Sequence, residues 1–308
     1  MTAPASSAAS SATRVEEIEV DGVLFDMDGT LIDSTPAVNA TWEETARRFN
    51  LDLDYVMANC HGWRTIENLR RFIPSLTDDE LPREVVKFES RIGDIAAEAV
   101  ATGKPGAIVS LPGAKELLAQ INAGREQDPQ RRQGWAIVTS ATKAYAHKAF
   151  PSSGVAPAFP ETFITGDLCT AGKPDPQPYL LGARGSRAAS ASASASASEG
   201  ASTSTIANGT AALSPSSSSD DSQSDARGFL VVEDAPPGVL SGKRAGASYV
   251  LGLKTTHAGE KQWANGADFV CDDLRSVSAR WEGSGADARL FIRIETEARP
   301  EGVEVVQV

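Results

Sequence analysis

The chain has 308 residues, 41% of them apolar, and a formal net charge of −12, enough to bury a substantial core in one large domain or two modest ones. So acidic a molecule is a poor match for nucleic acid, and it repels phosphorylated metabolites at long range, so an anionic substrate needs a locally positive pocket and a metal. Cys60, Cys169 and Cys271 have neither zinc-ligand nor disulfide-framework spacing and fit a reducing, cytoplasmic setting; no apolar stretch is long enough to span a membrane.

In chain order, residues 1–16 are rich in Ala, Ser and Thr, with Arg14 the only base and no apolar core for export. They read as a disordered tail, with organelle targeting as the alternative. Residues 23–34 follow as VLFDMDGTLIDS. The apolar run has the character of a buried parallel strand, and ligands of open α/β sheets bind at the carboxyl ends of such strands. Asp26 and Asp28, two residues apart, share one side of the extended chain and can address one small object. An ordinary Asp-Gly turn is the simpler explanation, but two acids on an apolar strand ask for more.

Residues 36–106 are too long for a crossover and carry amphipathic patterns such as TWEETARRF and REVVKFESRI. Ser34 or Thr35 can cap the first helix, with Pro36 at its start. A helical cap inserted after the first strand is expected there, in a core made of residues 17–35 and 107–308. Further apolar runs at 135–138, 163–165, 229–232 and 249–253 alternate with helical patterns, which predicts an α/β, Rossmann-like parallel sheet with helices on both faces. Residues 186–226, almost wholly Ser, Ala, Thr and Gly, cannot offset their ordering entropy and read as a disordered insertion in a surface loop, after a helix beginning near Pro176.

Three more signals stand at strand ends: Thr139-Ser140 after WAIV, Lys173 in GDLCTAGKPDP, and Glu233-Asp234 after FLVV. Each alone has an ordinary explanation, as a helix cap, a solvated lysine or a turn. Together, in this order after DMDGT, they resemble the four-motif pattern of the haloacid dehalogenase superfamily, whose members are mostly phosphatases. The resemblance covers most of residues 20–275.

The resemblance implies that Asp26 is a nucleophile forming an aspartyl-phosphate and that Asp28 protonates the leaving alcohol, then deprotonates water. It gives Asp26, the Asp28 carbonyl and Asp234 as magnesium ligands, with Glu233 direct or one shell out. Mg²⁺, a hard cation that prefers oxygen, also suits four carboxylates that would otherwise repel. Lys173 would pair with Asp26 and a phosphate oxygen. Thr139 or Ser140, the register being open, would hydrogen-bond the phosphate, with backbone N–H groups near Met27 and Ala141 as further donors. The carbon–halogen hydrolases of the superfamily lack the second acid, which this chain keeps.

Within the expected cap, HGWRT at residues 61–65, with GKPDPQPYL and VVEDAPPGV, closely resembles the fungal glycerol-phosphate phosphatases and their 2-deoxyglucose-6-phosphate phosphatase relatives. That implies magnesium-dependent hydrolysis of a small polyol or sugar phosphate, of the glycerol-3-phosphate or 2-deoxyglucose-6-phosphate type, with His61 and Arg64 facing the substrate. Related phosphomutases carry a histidine on the first cap helix, whereas residues 35–45 here have none. A sugar phosphomutase and a catalytically silent regulatory protein remain the alternatives. His147 and His257 match no motif and read as ordinary surface or packing residues. A monomer without nucleic-acid or membrane partners is expected.

Overall fold

The computed structural model describes residues 13–129, 131–198 and 225–307. Thr13–Val20 (β1) leads into Gly22–Phe25 (β2), which is buried at every position. After the turn at Gly29, Ile32–Asp33 (β3) carries the chain out into four helices: Thr35–Phe49 (α1), Leu53–Asn59 (α2), Thr65–Phe72 (α3) and Leu81–Thr102 (α4). It returns through Val109–Ser110 (β4), which pairs antiparallel with β3, so exit and entry are tied side by side.

The helices pack because α4 buries Leu81, Val85, Phe88, Ile92, Ala96 and Ala99 along one stripe, at the three-and-four spacing of an amphipathic helix. Trp42 of α1 fills the centre, 5.6 Å from the Phe72 ring and 4.5 Å from that of Phe88. Such a ring contributes roughly 3–5 kcal/mol against truncation to Ala.

The core continues with Ala114–Gln127 (α5), Trp135–Val138 (β5), Lys143–Ser152 (α6), Phe163–Ile164 (β6), Gln177–Ser198 (α7) and Phe229–Glu233 (β7). Pro236–Arg244 (α8), Tyr249–Leu253 (β8), Gly259–Ala264 (α9) and Phe269–Cys271 (β9) complete the alternation. A six-stranded parallel sheet results, in the order β6-β5-β2-β7-β8-β9. Connections run to β5 and β6 on one side of β2, then to β7, β8 and β9 on the other. That reversal opens a crevice at the carboxyl ends of β2, β5 and β7, where such sheets place ligands.

All five runs read from the sequence as sheet strands are in this sheet. Two features differ from expectation. Residues 13–16, assigned to the tail, belong to β1, whose partner β11 (Arg289–Glu297) lies far along the chain. Residues 186–198, assigned to the disordered insertion, continue α7; Arg187 there donates to the carbonyls of Asp225 (2.8 Å) and Arg227 (2.7 Å). The rest of that insertion up to residue 224, and residues 1–12, lie outside the described residues. The region after Asp273 forms Val277–Glu282 (β10) and β11, giving a second, antiparallel sheet β1-β11-β10. β11 alternates strictly, burying Leu290, Ile292 and Ile294 in the main core.

Candidate active site

Asp26 ends β2, its N–H held by the Val232 carbonyl at 3.0 Å and its side chain buried. Lys173, itself 1% exposed, donates to Asp26 Oδ1 at 2.6 Å and to the Val138 carbonyl at 2.9 Å, and lies 2.6 Å from Glu233 Oε1. One ammonium thus ties together the ends of β2, β5 and β7. Glu233 also accepts from the Tyr179 hydroxyl at 2.6 Å. Asp234, one residue on, accepts from Thr30 at 3.1 Å and from the Thr256 hydroxyl. Carboxylate oxygens of Asp26, Glu233 and Asp234 all lie within 4.8 Å of one another, close enough to hold a metal ion.

The glycine after Asp28 makes this approach possible. Gly29 has φ +87°, and a Cβ there would stand 2.3 Å from Asp234 Oδ2, so a side chain would meet both backbone strain and a carboxylate.

Asp28 lies outside the metal-competent cluster and is differently held. Ser34 donates to its Oδ1 at 2.6 Å and Tyr145 to the same oxygen at 2.9 Å, leaving Oδ2 for a ligand. Ser34 therefore does not cap α1 with its side chain; Asp33 Oδ1 takes the Thr35 N–H instead, at 3.0 Å. Thr139 and Ser140 both reach the cavity. The Thr139 hydroxyl accepts the Ala141 N–H at 3.1 Å and keeps its own proton for another acceptor, whereas Ser140 donates to the Gly62 carbonyl of the helical insert at 3.0 Å. The Ala141 N–H is thereby engaged.

Electrostatics follow from three acids facing one lysine. Burial raises the Asp26 pKa well above the ordinary carboxylate value; Lys173 opposes this, while Glu233 and Asp234 add to it. Asp234 is raised to about 7 by burial and by Glu233. For Lys173, burial pulls the pKa down, but Asp26 and Glu233 more than reverse it and keep the ammonium charged. Burial also raises Asp28, against the two hydroxyl bonds that lower it. The donor set fits a divalent cation: hard oxygens only, carrying more negative charge than Lys173 neutralises.

A cavity of about 110 Å³ stands above these groups, floored by the core and roofed by α1, α3, α4 and the loop after α2. His61 lines it, edge-to-face with His257 at 5.9 Å. His257, read as a surface or packing residue, packs against His61 where insert meets core, its Nδ1 2.9 Å from the Thr256 hydroxyl. His147 is a packing residue, stacked on Phe159 at 4.8 Å. Arg64 does not line the cavity. Its guanidinium pairs with Glu67 at 2.6 Å and donates to the carbonyls of Cys169 (2.7 Å), Thr170 (3.3 Å) and Gly166 (3.4 Å), bolting the insert to the loop that leads to Lys173.

Sequence reading missed Ser34, Tyr145, Thr30, Thr256, Tyr179 and Glu89. Ser34, Thr30 and Tyr179 stand inside or beside quoted motifs but were given no site role, and the others have no local signature: Tyr145 is 117 residues from the Asp28 it touches.

An acidic cluster and a buried lysine at the switch point of a parallel sheet, beneath a helical insert, are the marks of the haloacid dehalogenase-like hydrolases, and the chain belongs to that family, whose model matches residues 20–191. Among curated relatives it is similar to glycerol-1-phosphate phosphohydrolase 2 of Saccharomyces cerevisiae, with 29% identity over 91% of this chain and 93% of that protein. Hexitol phosphatase A of Escherichia coli is 31% identical over 86% of this chain and 96% of its own length. The 2-deoxyglucose-6-phosphate phosphatase 1 of Saccharomyces cerevisiae is 31% identical over 85% and 91%.

Proposed function

We propose that the protein hydrolyses the phosphate monoester of a small polyol or sugar, of the glycerol phosphate or 2-deoxyglucose-6-phosphate kind, through an aspartyl-phosphate on Asp26. The observation that carries this reading is the pair of aspartates with opposite environments. Asp26 is ion-paired to Lys173 within the acidic cluster, as a nucleophile must be to remain a carboxylate in a buried site. Asp28 is half-buried, raised in pKa by desolvation and tethered through one oxygen, as suits a carboxylic acid that hands its proton to a leaving alkoxide.

Each further group has a part. Lys173, with its three N–H donors committed to Asp26, Val138 and Glu233, balances the Asp26 charge from beneath, and Thr139, whose hydroxyl proton is uncommitted, donates to a phosphate oxygen. Asp26 and Asp234 would hold Mg²⁺ with the Asp28 carbonyl, while Glu233, already bonded to Lys173 and Tyr179, backs them. Bound there, the cation would offset the charge of the transferring phosphoryl group. Residues 36–106 act as a cap that excludes water and contacts the alcohol. The free, buried thiols of Cys60, Cys169 and Cys271 suit a reducing cytoplasmic setting.

The test is phosphate release from a panel of polyol and sugar phosphates, with and without Mg²⁺. Asp26→Asn is expected to abolish turnover while leaving the thermal melt within a few degrees of the parent. Undiminished turnover by that variant would remove Asp26 from the mechanism, and isomerised sugar phosphate in place of free phosphate would indicate a mutase.

A further inference from the structure

The cavity has an unusual charge balance. Among its described lining residues none is Lys or Arg; the acids are Asp26, Asp28, Asp234 and Glu89, and the other ionisable groups are His61, Cys60 and Tyr145, the last two held neutral by burial. His61 is held toward its neutral form by burial. Lys173 lies beneath the core end, and Arg64 is bound to Glu67 and to core carbonyls. The transferring phosphate, at the core end, has Lys173 and the metal-competent acids near it. The rest of the substrate, under the helices, meets Glu89.

Glu89 is a designed feature of that roof. It projects from α4, is 5% exposed, and accepts from Thr65 at 2.8 Å, from the Thr142 N–H at 3.4 Å and from the Thr142 hydroxyl. A carboxylate offers about four acceptor sites. Three are occupied, so one is left for a donor in the cavity, and a substrate hydroxyl is such a donor. A second anionic group would find a buried carboxylate with no cation to offset it.

Building on the phosphatase reading above, we infer that Glu89 is a specificity residue that restricts the site to monophosphates whose remaining part is uncharged and hydroxylated, and rejects bisphosphates and phosphorylated acids. Glu89 accepts a hydroxyl of the leaving alcohol and repels carboxylate or phosphate at the same place. A reaction passing through a doubly phosphorylated sugar needs a second anion site, and the described lining residues supply no cationic side chain for one.

The measurement is kcat/KM on pairs that differ by one charge: glycerol-3-phosphate against 3-phosphoglycerate, and 2-deoxyglucose-6-phosphate against 6-phosphogluconate. The parent enzyme is expected to prefer the uncharged member by about 100-fold, between the roughly fivefold of a close like-charge contact in bulk water and the roughly thousandfold of one near a protein surface. Glu89→Gln, which keeps the shape and removes the charge, should narrow that ratio about tenfold. If that variant does not fold, Val38→Lys, which adds a cation to the lining of the same cavity, should narrow it likewise. Equal use of both members by the parent enzyme, or a ratio unmoved in the folded variant, overturns the inference. Absence of turnover on every neutral ester is a different outcome: it removes the phosphatase reading itself.

Discussion

At the residue scale, the site separates two aspartates that the sequence presents as near twins. Lys173 pulls Asp26 toward its charged form, while Ser34 and Tyr145 fix the orientation of Asp28. Those two hydroxyls donate to the ionised form of Asp28 and so lower its pKa against the rise from burial. Removing one donor must raise it. Tyr145→Phe is therefore expected to move the alkaline limb of the kcat profile to higher pH, because the proton needed by the leaving group persists longer, and to lower the plateau by about tenfold through lost positioning. A pH profile on an alkyl phosphate measures both, and a limb that moves to lower pH would contradict the acid role of Asp28. Asp26 and Asp28 were legible because strand-end acids two apart are a local pattern. Ser34 was legible only as a helix cap, since nothing nearby in sequence says that its hydroxyl turns back to Asp28.

At the element scale, two tight turns let separate elements close on one another. Gly29 lets the loop after β2 approach the loop after β7. Gly29→Ala should strain the turn by about 1–2 kcal/mol and displace the Asp234 carboxylate. The expected readout is loss of the Mg²⁺-dependent rise in Tm together with activity, and a variant still stabilised by Mg²⁺ like the parent would show that Asp234 holds no metal. Gly62, with φ +82°, brings HGWRT against the core; a Cβ there would lie 2.6 Å from that of Ala235. From the same loop Arg64 reaches the carbonyls of residues 166–170. It was expected to face substrate, and its guanidinium instead holds helix and core together. Arg64→Ala should then raise KM and lower kcat together, each by about tenfold, through a looser roof. A pure KM effect confined to one substrate would return Arg64 to direct contact. The motif drew attention to the right loop, but the direction of the side chain depends on carbonyls about a hundred residues away.

At the scale of the whole molecule, stability, pH and metal are linked through the buried acids. Asp26 and Asp234 have folded pKa values above their unfolded ones, Asp234 at about 7 against 3.8. Between those values the unfolded chain has released a proton that the folded chain retains, so stability of the metal-free protein falls as pH rises, by about 1.4 kcal/mol per pH unit for each such proton. His257, lowered to about 4 by burial, acts in the opposite sense below its unfolded value of 6.5. The carboxylate effect is thus cleanest above pH 6.5. Tm of the metal-free protein should fall between pH 6.5 and 8, and Mg²⁺, which binds the deprotonated ligands, should raise Tm more at pH 8 than at pH 6.5. An equal Mg²⁺ effect at both values would place the metal away from these carboxylates.

Local pattern in the sequence determined five of the six parallel strands, though not β9, together with the helical insert between β3 and β4 and the acids, lysine and hydroxyls at the strand ends, because strand burial, helix periodicity and turn chemistry are written over a few neighbouring residues. β1 and β11 escaped that reading: the alternation of β11 is clear, but its partner lies at the other end of the chain. Tertiary structure alone decided that Thr139 rather than Ser140 has a free hydroxyl, that Arg64 bolts and Glu89 faces the cavity, and which oxygen of Asp28 is left open. Each of those outcomes depends on contacts between elements far apart in sequence, where the geometry of packing, and not the identity of adjacent residues, sets which polar groups meet.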